Sequence, residues 1–201
     1  LTYDITAWSI PYVYGLEAYA IDSPIQIRPI KIKKKSKVIH DWGNSPYAYI
    51  NPWLGVNDLK FLSGILKNNI ITRVSEHPFE IEGKTFNRGS LIITRKSNEH
   101  MGDKFDEIVR NFAKQHNTNL VSVKTGLVSK GKDFGSSSMR IVKKPHVVLL
   151  SGEGTRSNSH GEIWHFFEQQ IDYPISIFDV SMIDELPYEN IDVLIMPNGS
   201  Y

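Results

Sequence analysis

"HVVLLSGEGTRSNSHGEIWHFFEQQ", residues 146–170, decides how this chain is read. An uninterrupted apolar run, Val147 to Leu150, gives way to Ser151-Gly152-Glu153-Gly154-Thr155. A segment from about His160 to Gln170 follows, with Ile163, Phe166 and Phe167 at helical spacing and facing the strand. A continuous apolar strand, a glycine turn and a helix open a parallel α/β sheet, whose strands are buried on both faces. "ISIFDV" (175–180), the acidic turn "SMIDELPYEN" (181–190) and "DVLIMP" (192–197) supply two further strands of the same kind.

Upstream, the pattern is shorter and more varied. Residues 1–40 are an aromatic arm followed by a strand. Trp8, Tyr12, Tyr14 and Tyr19 lie around Pro11 and Gly15, and apolar and basic residues then alternate from Ile25 to Ile32. The five lysines between Lys31 and Lys37 fit a solvated strand end guarded against edge pairing better than a phosphate patch, because no aromatic residues interleave them. Residues 41–128 spell strand, helix, short strands, helix, strand. "YAYINP" is the first strand, and Leu59, Leu62 and Leu66 mark one face of the first helix, with Asn57 or Asp58 suited to cap its start. Phe79 and Ile81 alternate with glutamates before the turn "EGKTF", and "GSLIITR" is a buried strand. Phe105, Ile108, Val109 and Phe112 form the second helical stripe, and "NLVSV" closes the series. "SKGKDFGSSSMRIVKKP", residues 129–145, has the composition of a linker. The fold class is therefore α/β: an α/β domain with a mixed sheet, then the first strands of a flavodoxin-like parallel sheet over 146–201.

Composition narrows the function classes. With 23 basic and 22 acidic residues the formal charge is +1, so no global field draws the chain to nucleic acid or to an anionic membrane. The absence of cysteine removes disulfides, thiolate metal sites and cysteine nucleophiles from these 201 residues. No apolar run approaches the roughly 18 residues of a membrane helix. The opening "LTYDITAWSIPYVYGLEAYA" has no initiator methionine, and the chain stops just after its third buried strand. It is expected to be a piece of a longer polypeptide.

The candidate site lies where open α/β sheets hold ligands, beyond the carboxyl ends of the strands. Ser151, Gly152, Glu153, Gly154 and Thr155 end one predicted strand, and Asn198, Gly199 and Ser200 follow another, so both segments could line one crevice. The turn is not a phosphate-binding loop of the G-x-x-x-x-G-K-[ST] type, and Gly152-x-Gly154 lacks the third glycine of the dinucleotide fingerprint. His165 and Glu168 match the His-x-x-Glu pair of some catalytic zinc sites, but no histidine follows His165, and His160 lies about 140° round the helix. A pair on a helix surface is the expectation, with no metal ligand assigned. No serine lies in G-x-S-x-G. The acidic run "DKFDE" (103–107) suits the first turn of a helix on dipole grounds alone. Trp42, Tyr47, Tyr49 and Trp53 are a core under loops or, if exposed, a sugar- or peptide-binding surface.

Several phrases resemble a known family. "YDITAWSIPYVYGLEAY" (3–19), "FNRGSLIITR" (86–95), "GDKFDEIV" (102–109), "DFGSSSMRIVKKPHVVLLSGEG" (133–154), "GEIWHFFEQQIDYPIS" (161–176) and "IDVLIMPNGSY" (191–201) are similar to the region after the catalytic domain in large zinc carboxypeptidase-like proteins of Bacteroidetes-type bacteria. From about residue 146 the chain resembles the start of a class I glutamine amidotransferase-like, flavodoxin-type domain. The resemblance implies an exported parent hydrolase, secreted or periplasmic, whose zinc sits in its own catalytic domain. Neither the zinc ligands nor the general base of that family maps onto these residues. The implied role is a non-catalytic accessory region, with the catalytic domain of the same polypeptide as partner and peptide or cell-surface material as substrate. A small-ligand module at the crevice and a carbohydrate surface are the alternatives.

Overall fold

The computed structural model describes residue 11, residues 16–24, residue 26 and residues 42–201. The expected strand from Ile25 to Ile32, the lysine cluster and most of the aromatic arm lie outside them; residues 16–24 are exposed along their length.

Five strands form the first sheet: β1 (Ala48–Asn51), β2 (Arg73–Ser75), β5 (Leu91–Thr94), β6 (Val121–Val123) and β7 (Met139–Ile141), in the order β6-β1-β5-β2-β7. All its pairings are antiparallel. The period-two rule sorts the central strands into two buried faces. Tyr49 and Ile93 point to helices α1 (Val56–Lys67) and α2 (Lys104–Gln115), where Phe61, Ile65, Phe105 and Val109 complete one core. Ala48, Ile50 and Ile92 point the other way, against Phe79, Ile81, Phe86, Phe134 and Met139. That second face is covered by the hairpin of β3 (Phe79–Ile81) and β4 (Lys84–Phe86). Its two-residue loop, Glu82-Gly83, has both φ angles positive (48° and 72°), the backbone that matches the natural twist of a hairpin. With both faces covered, β1 and β5 are buried at every residue although their sheet is antiparallel.

Residues 129–145, linker-like in composition, belong largely to this first unit. Ser129 and Lys130 bond to the backbone of Glu80, Phe134 is buried in the second core, and β7 pairs with β2 from Met139↔Ser75 to Ile141↔Arg73. A Gly/Ser-rich stretch ties itself down here because its apolar members, Phe134 and Met139, have a covered face to reach. The chain passes from one unit to the other over about residues 142–146.

The second unit is a parallel sheet of β8 (Val147–Ser151), β9 (Ser176–Asp179) and β10 (Val193–Ile195), with β8 in the centre. Numbered within the unit the order is 2-1-3, the start of a flavodoxin-type winding. The molecule thus combines helices with an antiparallel and a parallel sheet, the α/β organisation expected. Burial of all three parallel strands does not hold. Val147 to Leu150 are buried, but Ile177, Val193 and Met196 are about half exposed, because β9 and β10 are edges covered on neither outer side. The helix begins earlier than expected, as α3 (Ser157–Trp164), and continues into a π-helical turn over His165–Gln170. The wider turn sets Phe166 and Phe167 side by side against Val147, Ile171 and Tyr173, and the backbone N–H of Ile171 donates to Phe166 O at 3.0 Å. No helix among the described residues is long and apolar enough to cross a membrane.

Helix α1 joins the two units. The buried stripe is Phe61, Ile65 and Leu66 rather than Leu59, Leu62 and Leu66, because Leu59 turns to the Val147, Ile171 and Tyr173 core of the parallel-sheet unit and Leu62 lies half-buried beside α2. Its start is fixed by Asp58, which acts from the third helical position instead of as the cap itself. Asp58 Oδ2 accepts from the N–H groups of Leu54 (2.7 Å) and Gly55 (3.0 Å). Across the unit boundary, Ser63 Oγ and Lys67 Nζ donate to the Asp172 carbonyl at 2.9 and 3.1 Å, and Lys67 pairs with the Asp172 carboxylate at 2.7 Å. Gly64 lets α2 approach closely, since a Cβ there would lie 2.5 Å from the Phe112 ring. Gly64→Ala is therefore expected to lower stability by about 1–3 kcal/mol in urea denaturation. Combined with Phe112→Leu, the loss should be smaller than the sum of the two single losses.

Candidate functional site

The structure brings the two sequence-predicted segments together and closes the space between them. Ser151 ends β8 opposite Asp179 of β9. Gly152 (φ 100°) and Gly154 (φ 90°) turn the chain back, and Thr155 bridges to Gly199. Two backbone bonds of 2.8 Å seal the contact, Ser200 N–H to Gly154 O and Arg156 N–H to Asn198 O. Asn198 N–H donates to Ser159 Oγ at 3.1 Å. The glycines serve this close approach. A Cβ on Gly154 would sit 2.5 Å from Ser200 O, one on Gly199 2.2 Å from Gly154 O, and one on Gly152 2.7 Å from the Asp179 carboxylate. Backbone contact bridges these segments directly.

Open space lies outside that bridge, in a shallow cleft of about 570 Å³ over the start of α3, lined by Thr155, Arg156, Ser157, Asn158, Glu162 and Asn198 among others. It carries one cation and one carboxylate, so it has no net field for an anion. Glu153 is exposed beside it.

The His-x-x-Glu pair falls on the π-helical turn, with His165 exposed and Glu168 half-buried. His160 turns inward, its Nδ1 3.1 Å from the carbonyl of Leu150. Among the described residues no three His, Asp or Glu side chains converge as a metal site requires.

The aromatic cluster splits. Trp42 and Tyr49 are core, with Trp42 Nε1 donating to Leu120 O at 2.7 Å, whereas Tyr47 and Trp53 are exposed at opposite ends of β1. Tyr47 precedes the strand and Trp53 follows it after a turn closed by the Trp53 N–H to Asn51 O bond at 3.0 Å.

The most strongly perturbed titratable groups occur elsewhere, around Asp106. Tyr49 OH donates to Asp106 Oδ1 at 2.5 Å, Arg95 Nη2 donates to both carboxylate oxygens at 2.7 Å, and Arg110 Nε donates to Tyr49 OH at 2.6 Å. Burial and the bond to Asp106 push the Tyr49 phenol far above its ordinary range. Burial alone would raise Asp106, but the bonds from Arg95 and Tyr49 and the charges of Arg95 and Arg110 outweigh it and hold the carboxyl below its usual value. Such shifts often mark active sites. Here every partner is spoken for: Arg95 Nε donates to Pro46 O, Arg110 Nη2 to Gly43 O, and the guanidinium groups lie 5.2 Å over Phe105 and 5.7 Å over Trp42. The cluster braces α2 against β1. Sequence reasoning assigned Asp106 to the helix dipole; the missed signal was an arginine one turn on, at Arg110.

Comparison with protein families, with curated proteins and with solved structures returns no match.

The brace predicts an acid-sensitive contribution. A carboxyl depressed in the folded state stabilises above its unfolded value, 3.8, and loses that contribution as the pH falls through the folded value. Asp106→Asn should cost about 1.5–3 kcal/mol at pH 7, the scale of hydrogen bonds to a charged group. Urea titrations repeated toward pH 2 should show the gap from the unaltered chain closing; a gap independent of pH would show that the charge is not what Asp106 contributes.

Proposed function

We propose that this chain is a non-catalytic accessory region of an exported zinc carboxypeptidase-like hydrolase, packing beside the catalytic domain of the same polypeptide and shaping access of peptide or cell-surface substrate. The observation that carries the reading is the internal satisfaction of its most chemistry-like residues: the glycine turn is bonded to residues 198–200, and the Asp106 cluster is saturated by its own neighbours. The resemblance of the phrases quoted above supports this choice of parent. The half-exposed apolar side chains of β9 and β10 and of the residue after β10, Ile177, Val193 and Met196, support a role in which this sheet meets further protein. In this reading zinc belongs to the catalytic domain and the polypeptide works in the periplasm or outside the cell.

Two measurements test it. Calorimetric titration of the purified chain with zinc should give no binding below micromolar Kd; tight binding lost in His165→Ala would reinstate a metal site here. An antibody against the chain, used to isolate the native polypeptide that carries it, should recover a product larger than 22.9 kDa that removes C-terminal residues from peptides until zinc is chelated. A product of 22.9 kDa without that activity sinks the reading.

A further inference from the structure

At the amino ends of the parallel strands, opposite the crevice, a serine and a histidine meet that no sequence motif connects. His146 Nδ1 lies 2.7 Å from the carbonyl of Asn190, and its Nε2 lies 2.9 Å from Ser176 Oγ. A carbonyl oxygen can only accept, so Nδ1 carries the proton. In the neutral ring Nε2 is then the acceptor, and the hydroxyl of Ser176 must donate to it. This is the tautomer and polarity of a serine nucleophile with its general base, a backbone carbonyl standing where a carboxylate often orients the ring. The ring is also tethered through its own backbone, because His146 N–H donates to Asp192 Oδ2 at 2.8 Å.

The pair opens onto a cleft of about 240 Å³ lined by Lys144, Pro145, His146, Tyr173, Pro174, Ile175 and Ser176. Tyr173, Pro145, Pro174 and Ile175 offer apolar walls, and Tyr173 OH is engaged with the carbonyl of Pro145 at 2.6 Å. Lys144 also lines the cleft and adds a cation to it. The volume lies below the usual range for drug-sized ligands, which limits an occupant to a short acyl group.

We propose that Ser176 and His146 form an acyl-transfer dyad acting on short-chain carboxylic esters, a chemistry separate from the accessory role and from any peptidase zinc. Ser176 Oγ bonds to the ester carbonyl carbon as its proton passes to His146 Nε2. The tetrahedral oxyanion collapses, the bond to the alcohol oxygen breaks, and His146 returns the proton to the departing alkoxide. A water then attacks the acyl-serine, His146 takes its proton and passes it to Ser176 Oγ, and the net reaction is ester plus water to acid plus alcohol.

The test is covalent labelling of the intact chain with a fluorophosphonate, followed by digestion and mass mapping of adducts. Ser137 and Ser181 are exposed controls in the same molecule, and Ser181 Oγ is bonded to the Asp179 carboxylate rather than to an imidazole. Ser176 should react about a hundredfold faster than either, the scale of general-base assistance. His146→Gln should bring its rate down to theirs, with circular dichroism unchanged, and Ser176→Ala should abolish turnover of p-nitrophenyl acetate above the background of the other serines. Equal labelling of the three serines in the unaltered chain overturns the proposal, and so does undiminished Ser176 labelling in His146→Gln. None of these outcomes depends on a peptidase domain: a reactive Ser176 would overturn the non-catalytic part of the accessory reading, while the place of this chain beside a peptidase domain keeps its own test.

Discussion

The carboxylate of Asp58 holds the architecture at its narrowest point. It is buried at 4 % exposure, takes two backbone N–H groups at the start of α1 on one oxygen, and accepts Asn51 Nδ2 at 2.7 Å on the other. Asn51 is the last residue of β1 and also donates to the carbonyl of Asn119 at 3.1 Å, just ahead of β6. One acidic side chain therefore sets the angle between β1 and the first helix, and through Asn51 the approach of the neighbouring strand β6. Because α1 also carries Leu59, Ser63 and Lys67 to the second unit, that angle decides where the parallel sheet sits. A buried charge is tolerated here because each oxygen is matched to a donor; without those donors the desolvation cost would be several kcal/mol.

The two sheets solve burial differently. The antiparallel sheet is sandwiched between two helices and its own hairpin, so even a polar Asn51 is excluded from water on β1. The parallel sheet buries only its middle strand and packs one face through Phe166, Phe167 and Tyr173, which form a tilted aromatic row along the π-helical turn. Rigid, internally satisfied geometry belongs to the first unit, and open surface to the second.

Much of this was legible in the residues. Strand β1, both long helices, the Glu82-Gly83 turn and the strand-helix-strand-strand series after residue 146 follow from periodicity and turn chemistry, as does the meeting of residues 151–155 with 198–200. What was not legible depends on partners distant in sequence. The face of α1 was misassigned because a helix touching three neighbours has no single apolar stripe. Segment 129–145 has a linker's composition, yet its edge strand finds β2 more than 60 residues earlier. The exposure of β9 and β10 is a property of sheet position, not of their side chains. The contact between His146 and Ser176 is set by strand register 30 residues apart, and nothing in either local sequence announces it.

The strand order of the first sheet also imposes a timetable. β1 pairs with β5 on one side and β6 on the other, Ala48 facing Thr94 and Val123. The last of these partners is made about 75 positions later, which at about 5–20 residues per second leaves one edge of β1 without its partner for roughly 4–15 s of synthesis. During that interval β1, whose Ala48, Tyr49 and Ile50 are later fully buried, presents an open edge to any passing strand. A nascent chain with this topology carries its greatest hazard of mispairing at its eventual centre, and its need for a chaperone is set by the order in which its strands are born.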